Sequence, residues 1–279
     1  GNHALNNVSA KINNGEHINV VYFGGSVTNG QGSSWGDRYS WRGLISTWLE
    51  VNAPNSTVTN INSAIGGTGS FFGNYRLQEA VIDKQPDLLF IEFSINDNYE
   101  NISETEAARR FETIVRRVRT ELPQCDIVML LTTDRGLIPN LKNSDTLHSQ
   151  AQGHDSIAES YGIPTLRVGH ALADTLSENW TDNDYAEWYQ YVTDAVHPND
   201  NGYMVYGNVV TEFLANSLFV HNKNVSVVTD HIMPSTIISE ELLDGDIRVY
   251  EITEEMANAS EMLGYDKPII ETGDSRIRY

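Results

Sequence analysis

Four polar side chains in this sequence are of the types that catalyse acyl transfer. Ser26 comes directly after the apolar run at residues 18–23, and Asn96 follows shortly after another such run. Asp194 and His197 lie three residues apart, just before the last helical pattern. A serine hydroxyl needs a neighbouring base to become a nucleophile at neutral pH, and imidazole is suited to that task. Asp194 can fold back in a turn and accept the ring N–H of His197, which would fix the tautomer.

The chain around Ser26 has features that would expose and assist a nucleophile. Gly24 and Gly25 permit a tight turn that places Ser26 at the start of the next helix. The N-terminus of a helix carries a partial positive charge, which favours a developing anion. The tetrahedral intermediate of acyl transfer also needs hydrogen-bond donors for its oxyanion.

These residues stand in four blocks whose order resembles that of the SGNH (GDSL-like) hydrolases. The blocks are Gly24-Gly25-Ser26-Val27-Thr28, an Asn-x-x-x-Gly-Gly-Thr sequence that ends at Thr68, Ile95-Asn96-Asp97, and Asp194-x-x-His197-Pro198. The resemblance covers roughly residues 18–215. The first block departs from the Gly-Asp-Ser-Leu form, because Gly25 and Val27 replace Asp and Leu. In this departure it is similar to variants among the carbohydrate esterases.

The resemblance implies a Ser-His-Asp esterase with no metal and no organic cofactor. Ser26 would attack an ester carbonyl, His197 would carry the proton, and Asp194 would orient His197. The oxyanion would be bound by the backbone N–H groups of Ser26 and Gly67 and by the side-chain amide of Asn96. Each residue also has an ordinary structural interpretation: a helix N-cap for Ser26, turns for Gly67 and Asn96, and a helix start for His197. The order of the four blocks favours the catalytic interpretation.

The hydrophobic pattern predicts the elements that must position these residues. Continuous apolar runs at residues 18–23, 88–93 and 127–131, with shorter ones at 58–61 and 164–168, predict strands. Helical spacing predicts helices between them, the longest over residues 104–122 with Ser103 as its N-cap. Buried strands that alternate with helices indicate a parallel sheet covered on both faces. We therefore predict an α/β fold, a three-layer α/β/α sandwich with about five parallel strands, with the site at their carboxyl ends. The resemblance implies the same flavodoxin-like fold.

The sequence suggests two domains. Residues 1–220 would form the catalytic domain, with a lead-in helix at its N-terminus. Residues 221–279 would form a small β-rich C-terminal appendage, with strands at residues 225–228 and 247–252.

Composition and missing motifs exclude several other classes of protein. The 279 residues include 18 basic and 38 acidic side chains, a net charge of −20, so we expect neither nucleic acid nor an anionic lipid surface as a partner. The single Cys125 excludes an internal disulfide and a Cys-rich metal site, and no apolar window is long enough for a membrane span. Dinucleotide, phosphate-loop and zinc motifs are missing, and the acidic residues 182–187 lack the glycine of a calcium loop. His148 and His154 are predicted to lie on a surface helix without a role.

Aromatic residues flank the predicted site. The segment just before Asp194 contains five rings: Trp180, Tyr185, Trp188, Tyr189 and Tyr191. Such rings beside a catalytic loop can form a platform for sugar rings, although each could instead pack on the core. We predict that at least one of the five binds substrate. Trp35 and Tyr99, which follow the first and third blocks, are further candidates to line the same cleft.

We therefore expect an esterase that removes acetyl or other short acyl groups from an O-acetylated polysaccharide or oligosaccharide. A lipid acylhydrolase or thioesterase of the same family is the first alternative, and a non-catalytic carbohydrate-binding relative is the second. No leader is visible, and the sequence begins at Gly1 without Met, so we expect that a leader or tag has been removed. A secreted or cell-surface location is expected, with a cytoplasmic one as the alternative. The oligomeric state is not indicated.

Overall fold

The computed structural model describes residues 5–235 and 237–238, and within them five parallel strands form one sheet. The strands are β1 (Ile18–Gly24), β2 (Val58–Asn62), β3 (Leu88–Glu92), β4 (Asp126–Leu130) and β5 (Thr165–Leu166). Their spatial order is β2-β1-β3-β4-β5. This flavodoxin-like order has its switch point between β1 and β3, where ligands bind in doubly wound sheets. The five strands predicted for the sheet and the predicted fold class are confirmed.

Helices connect the strands and cover the sheet. They are α1 (Asn6–Asn13), α2 (Ser26–Asn29), α3 (Gly36–Tyr39), α4 (Trp41–Asn52), α5 (Ser70–Ala80), α6 (Ser94–Tyr99), α7 (Glu104–Glu121), α8 (Ile138–Ser144), α9 (Ser149–Ser160), α10 (Val168–Thr175), α11 (Tyr185–Trp188) and α12 (Asp200–Leu214), with a π-helical segment at Ala215–His221. Ser103 caps α7 as predicted, because its side chain accepts the backbone N–H of Glu106. In the part of the chain that the structure describes, we find no helix with the length and hydrophobicity of a membrane span.

Two hydrophobic cores lie on opposite faces of the sheet. The strand residues alternate between them: Val20 and Tyr22 of β1 point to one face, and Val21 and Phe23 point to the other. The first face is covered by α1, α4, α10 and α12, and the second by α5, α7 and α9. This burial on both faces is the reason that the central strands appear as unbroken apolar runs in the sequence.

Aromatic side chains fill the centre of the first core. Phe90 of β3 is fully buried, and its ring stacks on that of Tyr22 with 5.4 Å between the ring centroids. The Trp41 ring meets both of these rings edge-on, at 5.5 Å from Tyr22 and 5.6 Å from Phe90. These contacts fix β1 and β3 against α4, just below the edge where the site lies.

The start of the predicted appendage does not form the expected strand. Residues 225–228 have no strand partner, because hydrogen bonds to α1 take up this segment instead. The Asn13 side chain donates to the Val225 carbonyl at 2.7 Å, and the Asn7 side chain accepts from the backbone N–H of Thr229 at 2.9 Å. The predicted strand at 247–252 lies outside the described residues, so the β-rich appendage and the domain boundary stay predictions.

The central aromatic packing yields a stability prediction. Phe90→Ala should lower the free energy of unfolding by about 3–5 kcal/mol, since it removes a large buried ring and leaves a cavity. Chemical denaturation of both proteins measures the difference. Phe71→Ala is the matched control, because the Phe71 ring is half exposed and should change stability by only about 0.5 kcal/mol. Equal effects of the two substitutions would contradict the packing described above.

Candidate active site

The turn between β1 and α2 positions Ser26, the predicted nucleophile. Gly25 is extended, and Ser26 is the first residue of the helix, with 7% of its surface exposed. Ser26 is therefore not the helix N-cap. A Cβ on Gly24 would lie 2.4 Å from Thr28 Oγ1 and 2.6 Å from the carbonyl oxygen of Glu92, so the residue must be glycine. The turn thus packs directly on the end of β3.

Ser26, His197 and Asp194 are joined by hydrogen bonds. Ser26 Oγ lies 2.8 Å from His197 Nε2, and His197 Nδ1 lies 2.7 Å from Asp194 Oδ2. When Nδ1–H donates to the carboxylate, Nε2 can accept the proton of Ser26. Burial acts to raise the pKa of Asp194, but hydrogen bonds from the His197 ring and from the backbone N–H groups of His197 and Val196 lower it below its usual value. The carboxylate is therefore held as an anion beside the imidazole.

The loop that carries Asp194 and His197 is fixed from two neighbouring segments. The indole N–H of Trp188 donates to the carbonyl of Asp194 at 2.6 Å. The backbone N–H of Arg135, which follows β4, donates to the carbonyl of Ala195 at 2.9 Å. These contacts leave the His197 ring little freedom to turn away from Ser26.

The segment after α2 presses on the same loop. Gly32 has a φ of +93°, and a Cβ there would lie 2.4 Å from the carbonyl oxygen of Pro198. Ser34 donates from its backbone N–H and its hydroxyl to the Asp200 carboxylate, at 2.8 and 2.6 Å. The turn that carries Ser26 and the loop that carries Asp194 and His197 are therefore held together by backbone packing as well as by the Ser26–His197 contact.

The residues predicted to bind an oxyanion border the Ser26 turn. A Cβ on Gly66 would lie 3.6 Å from the Cβ of Ser26. Gly67 has a φ of +74°, and no atom lies within 4 Å of the point where its Cβ would stand. Asn96 packs its Oδ1 against Gly25, since a Cβ on Gly25 would lie 2.3 Å from that oxygen. The side-chain nitrogen of Asn96 therefore lies on the far side of its amide from Gly25. Catalytic roles for these donors stay predictions.

A buried ionic network lies behind these donors. Asp97 is fully buried and accepts from the backbone N–H and the hydroxyl of Ser70, at 2.8 and 2.6 Å, and its Oδ2 lies 2.9 Å from His154 Nε2. Burial acts to raise the pKa of Asp97, but the contacts with His154 and Ser70 lower it below its usual value. The network joins the N-terminus of α5, which follows the Gly67 turn, to α6, which carries Asn96.

The prediction that His154 lies on the surface is wrong. Only 1% of His154 is exposed, and its ring stacks on Phe111 with 4.8 Å between centroids. The sequence contains a signal for this: Ala151 and Ile157, three residues to either side of His154, are buried on the same face of α9. His148, in contrast, lies at the N-cap of that helix.

A second carboxyl group, which the sequence did not reveal, lies beneath the nucleophile turn. Glu92, the last residue of β3, is 1% exposed, and it accepts the hydroxyls of Thr28 at 3.2 Å and Thr132 at 3.0 Å. Burial raises the pKa of Glu92 to about 7, although these hydrogen bonds act to lower it. A lone acidic residue at the end of an apolar run gives no sequence signal for such a site.

The structure divides the predicted substrate-binding aromatics into two groups. Trp180 and Trp188 are buried in the first core, with 6.0 Å between their ring centroids, so the prediction that they bind substrate is wrong. Trp35 and Tyr99 are more than half exposed. Burial and the negative charges of Asp134 and Asp194 raise the pKa of the Tyr99 hydroxyl.

Two further rings of residues 180–191, at the start of α11 and directly after its end, lie on the surface. Tyr185 and Tyr189 are each nearly half exposed, and the guanidinium of Arg135 lies 4.5 Å from the centroid of the Tyr185 ring. The nearby acidic side chains take part in local contacts, such as the 2.8 Å ion pair of Asp182 with Arg135. Across residues 5–235 and 237–238, no group of three or more His, Cys, Asp or Glu side chains is placed to hold a metal ion.

Comparison with known proteins identifies the family. The sequence profile of the GDSL-like lipase/acylhydrolase family matches residues 22–205, more than half of the chain. The chain belongs to this family. Its fold is the SGNH hydrolase fold, as the sequence predicted. No curated protein sequence matches the chain significantly.

Several solved structures are similar to the GDSL-like protein. A two-domain esterase active on acetylated mannans, crystallised with mannopentaose, is 27% identical over 83% of this chain, with a TM-score of 0.65. A second structure of that esterase is 26% identical over 84% of this chain, with a TM-score of 0.67. The match covers only 56% and 58% of those longer chains. The acetylxylan esterase Axe2 from Geobacillus stearothermophilus is 17% identical over 71% of this chain and 94% of its own, with a TM-score of 0.56, and shows the same fold.

The raised pKa of Glu92 predicts a pH dependence of stability. Between about pH 4.5 and 7 the folded protein keeps a proton on Glu92 that the unfolded chain releases, so this group contributes stability that is lost as the pH rises. Glu92→Gln removes the titration. The free energy of unfolding of Glu92→Gln, minus that of the wild type, should therefore increase by about 1.4 kcal/mol per pH unit across that window. Urea denaturation at several pH values measures the difference, and a constant difference would contradict the assignment.

Proposed function

We propose that this esterase removes acetyl and other short acyl groups from O-acetylated oligosaccharide or polysaccharide by a Ser-His-Asp mechanism. The proposal depends on one observation above all: the hydrogen-bonded series from Ser26 through His197 to Asp194, with contacts of 2.8 and 2.7 Å. A nucleophile, a base and a group that orients the base are the parts that acyl transfer needs.

The reaction would proceed through an acyl-enzyme. Ser26 Oγ attacks the ester carbonyl while His197 Nε2 takes the hydroxyl proton, and the carbonyl oxygen becomes an oxyanion. The oxyanion would be bound by the backbone N–H groups of Ser26 and Gly67 and by the Asn96 amide. When the intermediate collapses, His197 gives the proton to the departing alcohol. Water, activated by the same imidazole, then attacks the acyl-enzyme and releases the carboxylic acid.

The surroundings of the site support a carbohydrate substrate. The two-domain esterase, which is 27% identical, is active on acetylated mannans. Polar and glycine residues surround Ser26, including Gly66, Asn96 and His197, while Trp35 and Tyr99 offer exposed rings for stacking. The net charge of −20 makes anionic lipid surfaces poor partners. A non-catalytic binding protein would have no need of the intact Ser26–His197–Asp194 contacts.

Replacing the nucleophile tests the mechanism. Ser26→Ala should lower kcat for 4-nitrophenyl acetate by roughly 10⁴-fold, because removing any member of such a triad leaves only residual catalysis. The circular dichroism spectrum should not change, since the substitution removes one oxygen atom. Ser160→Ala, on the surface of α9, is the control and should keep normal kcat. Near-normal turnover by a pure sample of Ser26→Ala would overturn the triad assignment.

Acyl-chain length tests the substrate class. We expect kcat/KM to fall steeply from acetate to octanoate esters, because the groups that border Ser26 are polar and offer little surface to a long chain. Acetate release from acetylated mannan and acetylated xylan, measured side by side, would then identify the preferred glycan. A long-chain lipid hydrolase would show the opposite trend, since each buried methylene can contribute about 0.8 kcal/mol.

A further inference from the structure

The turn of residues 24–26, which carries Ser26, lies over a buried side chain, Glu92, that takes no direct part in acyl transfer. In the register of the sheet Gly24 is paired with Glu92, so the last residues of β1 and β3 lie side by side. The Glu92 side chain is 1% exposed, and the hydroxyls of Thr28 and Thr132 donate hydrogen bonds to it at 3.2 and 3.0 Å. One donor from α2 and one from the segment after β4 therefore converge on one carboxyl group.

The turn that carries Ser26 is held on both of its sides. On the strand side, the Gly24 carbonyl accepts the backbone N–H of Ile65 at 3.0 Å and the guanidinium of Arg76 at 3.1 Å. On the helix side, Thr28, two residues after Ser26, donates its hydroxyl to Glu92 at 3.2 Å. Ser26 therefore lies between two fixed points of the chain. The N–H of Ser26 is in the first turn of α2 and has no acceptor within the helix.

A purely structural role explains the choice of residue poorly. Burying a whole carboxyl side chain lowers stability. An apolar side chain of similar length in the same place often leaves the stability unchanged or raises it. Glu92 titrates close to neutral pH because of this burial. Both of its charge states can still accept the Thr28 hydroxyl on Oε2, since a proton on Oε1 can be donated to the Thr132 hydroxyl. The hydrogen bond to α2 therefore survives a change of charge.

We propose that Glu92 is a positioning residue for the esterase reaction: by holding the Thr28 hydroxyl it fixes α2 so that the Ser26 N–H and the Ser26 hydroxyl face the same substrate carbonyl. This inference rests on the proposed function of Ser26. Without an acceptor for the Thr28 hydroxyl, α2 can shift on the end of β3, and the Ser26 N–H moves away from the point where the oxyanion forms. Misplacement by about 1 Å is enough to cost roughly 10²-fold in rate.

Two substitutions of Glu92 separate positioning from stability. Glu92→Gln keeps an oxygen acceptor for the Thr28 hydroxyl and should retain kcat within about tenfold of the wild type. Glu92→Met keeps the length but has no comparable acceptor, and its kcat for 4-nitrophenyl acetate should fall by about 10²-fold with KM changed by less than about threefold. Thermal melts of both variants record their stability. A kcat for Glu92→Met within threefold of the wild type would overturn the inference.

Glu112 provides a matched control for burial. It is a fully buried glutamate of α7, bonded to the Tyr161 hydroxyl at 2.7 Å, on the second face of the sheet. Glu112→Met should change the melting temperature but leave kcat unaltered. If it lowers kcat as much as Glu92→Met does, the effect is one of general stability and the inference is wrong. If Glu92→Met does not fold, Glu92→Asp takes its place, since the acceptor then withdraws by ~1.5 Å and kcat should fall likewise.

Labelling of Ser26 distinguishes failure of this inference from failure of the proposed function. A neutral 4-nitrophenyl phosphonate ester reacts with an activated serine through an oxyanion and needs no natural substrate. The labelling rate should fall by about 10²-fold in Glu92→Met and stay near that of the wild type in Glu92→Gln and Glu112→Met. A wild-type protein that is labelled at Ser26 but cleaves no acetate ester would contradict the proposed substrate and leave the variants to decide on Glu92. Equal labelling rates in all variants would contradict the positioning role alone.

Discussion

The parallel pairing of β1 with β3 holds the reacting groups at one point of the sheet edge. Both strands end at the same level, so the Ser26 turn and the helix that carries Asn96 leave the sheet side by side. The pairing is possible because both strands are apolar on both faces and pack between two cores. Gly24 and Gly25 then let the turn approach Glu92 and Asn96 more closely than a side chain would allow.

His197, the proposed base, comes to this point from a different part of the chain. Asp194 and His197 lie on a loop that leads into α12, and that helix packs on α4 in the first core. The loop is held by a backbone contact from the end of β4 and by the close approach of Gly32. The geometry of the Ser26–His197 contact therefore depends on the packing of two layers, and hydrogen bonds at the site alone would not maintain it.

Much of this arrangement could be predicted from the sequence, for physical reasons. Buried parallel strands produce unbroken apolar runs, and the four blocks fall at strand ends or just before α12, so Ser26, Asp194 and His197 were predicted and lie together. The sequence could not show which aromatic rings face the core, so Trp180 and Trp188 were misassigned. The secreted or cell-surface location stays a prediction.

Glu92 was missed for a different reason. A glutamate at the end of an apolar run shows no periodicity, and the donors that converge on it come from the β1–α2 turn and from the segment after β4. Such convergence exists only in three dimensions. His154 was missed although its helical face gave a signal, because a histidine in a polar helix was taken to be solvated.

The role of Ser26 as the nucleophile is tested most directly by trapping the acyl-enzyme. Wild-type protein is mixed with 4-nitrophenyl acetate, quenched in acid within the first turnover, and examined by intact mass and peptide mapping. If Ser26 is the nucleophile, the mass of the protein should increase transiently by one acetyl group. That group should be located on Ser26 and be lost again as acetate is released. An acetyl group on another side chain, or steady turnover in which no acetylated protein forms, would contradict this role of Ser26.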